Sequence, residues 1–116
     1  MNAYEFGLKY LYFGSEELGV LNDANNTLMN YIREVGLKNV SNSLKKVARF
    51  NRLVYRCYND GDYYGAVVND NWKVIFAHIN NILDSYNSLA EVNSWKVISE
   101  WELKALRDKI MWIIAK

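Results

Sequence analysis

LGVLNDANNTLMNYIREV, residues 18–35, decides the fold. Leu18, Leu21, Asn25, Leu28, Ile32 and Val35 recur at alternating steps of three and four, which places them on one side of an α-helix. Ser15 precedes the run as an N-cap, because its hydroxyl can accept from a backbone N–H that lacks a helical partner, and Glu16 and Glu17 suit the positive end of the helix dipole. Gly36 supplies a stop that tolerates a left-handed backbone. Such a seam must be covered by apolar surface. Fewer than three heptads are present, so the reading is a core-facing helix of a monomeric bundle. The alternative is a homodimer through the 18–35 helix, with Asn25 fixing register as a polar residue at a core position.

Upstream, Tyr4, Leu8, Leu11 and Tyr12 keep helical spacing while Phe6, Tyr10 and Phe13 fall off that face. A short helix buried on more than one side is favoured over a strand. Downstream, a helix from Ser41 or Asn42 to about Asn59 carries the stripe Leu44, Val47, Val54 and Tyr58, flanked by Phe50 and Leu53, and Asn59-Asp60-Gly61-Asp62 closes it with turn chemistry. Two readings compete after that. A β-hairpin over 62–77 would pair 63–68 with 72–77 around Asn69-Asp70-Asn71. A helix from about 70 to 86, capped by Asp70, is favoured because Trp72, Ile75, Phe76, Ile79, Ile82, Leu83 and Tyr86 recur at helical steps. Residues 88–98 read as a connector with a short helix. Ser99-Glu100-Trp101-Glu102 matches a capping box, followed by Leu103, Leu106, Ile110 and Ile113, joined by Trp101, Met111 and Trp112.

The fold class predicted is mainly α: a single compact bundle of four to five helices over residues 1–116, with the hairpin as the minor alternative. A composition that is 51% apolar and 23% charged is that of a globular chain, and the lack of proline agrees with long uninterrupted helices. The one cysteine, Cys57, rules out an internal disulfide framework and any cysteine-clustered metal site. With an acidic residue early in the chain and no long apolar run, a cytoplasmic protein without membrane association is expected. Fifteen asparagines suggest the biased composition of a phage or mobile element.

The net charge is only +1, but residues 36–59 carry six basic groups and no acid, between blocks in which acids dominate. Lys45, Arg49, Arg52 and Arg56 recur at four, three and four and should form a row opposite the apolar stripe, extended by Lys46 and Lys38. Like charges so spaced cost a few tenths of a kcal/mol per pair; the row is either a solvated face, or paired with acids such as Asp60, Asp62, Asp70 and Asp84, or a docking surface for nucleic-acid phosphates or an acidic protein. Arginine's planar fork and the rigid rings of Tyr55 and Tyr58 suit an interface. The partner-binding residues expected are therefore Lys45, Lys46, Arg49, Arg52, Tyr55 and Arg56. Surplus aromatics among Tyr4, Tyr10, Tyr12 and Phe13, or the pair Tyr63-Tyr64, are candidate surface anchors.

Catalytic signatures are sparse. His78 reads as a packed or partly exposed helical residue, Cys57 as a buried thiol, and Asp60-Gly61-Asp62 as a turn lacking the ligand spacing of a calcium loop. No cofactor or metal is expected. The leading expectation is a small non-enzymatic protein-binding factor that occludes a partner's surface, of the inhibitor, antitoxin, immunity or anti-defence kind. The alternative is a nucleic-acid-binding module using the basic face of the 41–59 helix, and an enzyme built on carboxylates ranks third.

Overall fold

The computed structural model describes residues 1–60 and 72–115, apart from the side chain of Asp60. All regular elements among the described residues are helical, as the periodicity predicts. The first hairpin arm, the Asp70 cap and the Tyr63-Tyr64 pair lie outside them; the second arm, 72–77, is helix.

Helix α1 (Ala3–Gly7) begins with a capping box: Asn2 Oδ1 accepts from the Glu5 N–H at 2.9 Å, and Glu5 Oε2 accepts from the Asn2 N–H at 3.3 Å. The chain then widens into one π-helical turn, Leu8–Tyr12, in which the Phe13 N–H donates to the Leu8 carbonyl at 2.9 Å. The Asn22 amide donates to the carbonyls of Tyr10 (3.3 Å) and Leu11 (3.1 Å), satisfying acceptors that the end of a helix leaves open. Gly7 lets this segment lie close on the third helix, since a Cβ there would stand 2.6 Å from Val54 Cγ2.

Ser15 caps as expected, its Oγ accepting from the Glu17 N–H, and a 3-10 turn at Glu16–Leu18 leads into α2 (Gly19–Val35). Gly36, at φ +93°, ends it. The seam is buried within the chain: Leu18, Leu21 and Leu28 are fully covered, and Asn25, only 1% exposed, exchanges two 2.9 Å hydrogen bonds with Asn51. The polar residue thus finds its mate on the next helix, and the row Leu18 to Ile32 packs inside the chain as the core-facing reading expects, with Val35 half-buried at its end.

Helix α3 (Asn42–Asp60) starts at Ser41, whose Oγ accepts from the Leu44 N–H. It buries Leu44, Val47, Ala48, Phe50, Val54 and Cys57. Tyr58, expected in that stripe, is exposed; Cys57 takes its place. Helix α4 (Trp72–Asn93) packs on both α2 and α3 and runs about two turns beyond the expected end, so the start of the supposed connector is helix. Leu89 and Ala90 lie seven residues after Ile82 and Leu83 and carry the same buried side onward, which the reading of 88–98 overlooked.

Ser94, at φ +60°, turns the chain out of α4. The strap that follows is held by Asn87, whose side chain bonds both the N–H and the carbonyl of Ile98, and by the Tyr86 hydroxyl on the Lys96 carbonyl at 2.6 Å. Trp95 stacks on Tyr86 and meets Tyr31 edge-on. Helix α5 (Glu100–Ile114) opens with the expected Ser99/Glu102 capping box and buries Leu106, Ile110 and Ile113. Trp101, Met111 and Trp112 do not join that stripe. At 100° per residue the two tryptophans project from the opposite side of α5, and Trp101 is 74% exposed.

Candidate functional site

The outer side of α3 follows from helical geometry. At 100° per residue Lys45, Arg49, Arg52 and Arg56 fall within a sector of about 60°, Tyr55 lies next to them on the α2 side, and Lys46 stands on the opposite flank. Arg49, Arg52 and Arg56 are exposed and Lys45 is half-buried. Among the described residues no carboxylate pairs with any of the five. Asp84, one of the acids expected to compensate, lies instead 3.9 Å from Arg107, and Asp62 and Asp70 fall outside the described residues.

Two hollows flank the row. One, of about 320 Å³, is lined by Leu37 and by the long side chains of Lys38, Lys45, Arg49 and Arg52, whose aliphatic stems can form its walls while their charged heads reach water. The other, of about 410 Å³, is a groove between α2 and α3. Leu11, Met29, Ile32, Ala48 and Val54 give it an apolar lining, which also includes the Asn25–Asn51 amide pair, Arg33 and Arg52. Leu37 and Arg52 belong to both hollows, which makes them one continuous surface.

At the far end of α3 four aromatic rings meet in the open. Tyr12 lies 4.8 Å from Tyr58, 6.0 Å from Tyr55 and 5.0 Å from Phe13, and Phe13 lies 5.2 Å from Tyr58. Each of the four is between 40% and 62% exposed. The π turn is the local cause: its extra residue rotates Tyr12 and Phe13 away from buried Tyr10 and Leu11 and towards the end of α3. Tyr4 and Tyr10, the other candidate anchors of that segment, are buried in the core instead.

Of the residues expected to bind a partner, the fold thus brings Lys45, Arg49 and Arg52 around one hollow and places Arg52 and Tyr55 on the groove; Arg56 continues the row, and Lys46 touches neither hollow. Sequence reading missed Met29, Arg33 and Leu37 as parts of the surface, and Asn51 as the mate of Asn25. A lone amide within the apolar flank of α3, three residues before Val54, is the signal that could have found Asn51. His78 packs as expected, its ring stacked on Phe50 at 4.0 Å. Among the described residues no three His, Cys, Asp or Glu side chains converge as metal ligands. No protein-family model matches this chain, and no curated protein or solved structure is significantly similar to it.

Proposed function

We propose that this chain is a small non-enzymatic protein-binding factor of the inhibitor or antitoxin kind, which occludes a partner's surface with the outer side of α3. The observation that carries this reading is the open four-ring aromatic cluster beside a cationic row with no carboxylate partner among the described residues. Aromatic rings and arginines dominate the energetics of protein interfaces, and a helix face that leaves both in water loses apolar burial and charge compensation that a partner restores. The near-neutral total charge fits a partner of complementary local charge better than a long polyanion. Among the described residues no helix is long and apolar enough to cross a membrane, and the reading takes the site of action to be the cytoplasm.

The test is affinity capture of the tagged chain from its own host's lysate after nuclease treatment, compared with a variant carrying Lys45→Glu, Arg49→Glu, Arg52→Glu and Arg56→Glu. One dominant protein held by the wild type and lost by the folded variant is the expected result. Equal capture by both would remove α3 from the binding surface. The second reading, nucleic acid on the same face, is supported by the tyrosines beside the arginines, since bases stack on such rings. It requires affinity that falls steeply with salt, so a flat salt response eliminates it.

A further inference from the structure

We infer that the α2–α3 surface takes an acidic segment of the partner, with one apolar side chain seated in the groove and flanking carboxylates on the cationic hollow. The inference rests on the protein-docking reading and specifies its chemistry. Size is the first argument. About 410 Å³ is room for a large side chain and its backbone, and a groove whose amide pair is already mutually hydrogen-bonded asks its occupant for apolar surface more than for polar contacts. Charge is the second. The groove's lining includes Arg33 and Arg52, and through Arg52 it opens onto a hollow lined by Lys38, Lys45 and Arg49.

An apolar anchor with cations close by is the pattern that receives an acidic amphipathic peptide, the anchor giving affinity and the charges giving register and approach. Carboxylates match the planar forks of Arg49 and Arg52 in pairs. A duplex nucleic acid would satisfy the cations but keeps its bases stacked and out of the apolar groove, and a single strand can unstack a base but brings no aliphatic surface to it. The continuity of the two hollows through Leu37 and Arg52 therefore favours a protein segment that carries both features on neighbouring residues.

The experiment is selection of a random short-peptide display library on the tagged full chain, followed by titration of the recovered peptides and, separately, of oligothymidylate. The inference expects recovered peptides rich in Asp and Glu around an aromatic, leucine or methionine anchor, with amide shifts at Met29, Leu37 and Arg52. Replacing the peptide's acids by their amides, or introducing Arg49→Gln with Arg52→Gln, should each weaken binding roughly ten-fold or more. Leu37→Glu, at an exposed position, should do the same with an unchanged thermal transition. Neutral peptides that still map to α3 would overturn the acidic partner and leave the docking reading standing. Peptides that map to the Trp101 side of α5, or an oligonucleotide that alone binds the α3 row, would overturn both. A library that yields no binder would also overturn the inference, since a short acidic segment would then not suffice.

Discussion

Asn25 and Asn51 show at the scale of single residues how a polar pair can specify a core. Each amide donates to the other at 2.9 Å, and Asn51 also donates to the Val47 carbonyl, so the buried polar atoms are satisfied and the α2–α3 register is fixed. Replacing Asn25 removes the donor to Asn51 Oδ1, although the Asn51 amide keeps its bond to Val47. Asn25→Leu should cost about 1–3 kcal/mol. Adding Asn51→Leu should cost less than the sum of the two single changes, and urea unfolding of the full double-mutant cycle is the measurement. Gly7 makes a different argument at the same scale. Alanine there would gain up to about 1 kcal/mol in helix propensity, but its Cβ would overlap a methyl of Val54, a residue fixed in the core, and overpacking of that kind costs about 1–3 kcal/mol. Gly7→Ala should therefore destabilise, and Val54→Ala in the same chain should relieve part of the loss.

The elements were largely legible because they carry local signals. Ser15, Gly36 and the Ser99/Glu102 box mark three boundaries through backbone groups that need partners, and a signal confined to a few residues survives without tertiary information. Ser99→Ala should lower the thermal transition by the equivalent of about 1 kcal/mol. What was lost is what depends on neighbours. Tyr58, Trp101 and Trp112 are aromatics near apolar periodicity, and only the packed fold shows which side has a helix against it. The reading of 88–98 as a connector failed for a related reason: the strap's Trp95 and Ile98 resemble a helical stripe, while Leu89 and Ala90 continue one already in place. The candidate site was half legible. Its row of Lys45, Arg49, Arg52 and Arg56 shares α3, but the groove combines the π turn, α2 and α3, a juxtaposition that no local pattern encodes. The row itself yields a prediction. Arg52 has like charges at Arg49 and Arg56, so Arg52→Gln should leave stability unchanged or raise it by a few tenths of a kcal/mol, and added salt should shrink the difference between variant and wild type in a melting series.

Across the whole molecule the burial is uneven. Helices α2, α3 and α4 surround the core, whereas α5 contributes three buried residues, keeps both its tryptophans exposed, and is tied to α4 by Arg107, which donates to Asn80 at 2.9 Å. Its amides should exchange with deuterium by a local opening that leaves α2 protected, an order that peptide-resolved exchange reads directly. If α2 and α5 exchange together, the chain opens as one unit and the ranking is wrong. Cys57, the only thiol, lies on the far side of that division, closed into the α3 core at 2% exposure. An alkylating reagent in excess can reach it only while that core is parted, and each encounter is irreversible. The sulfur is thus a clock built into the protein: the rate at which it is consumed counts the openings of the α3 core, and it should keep its own time while α5 comes and goes.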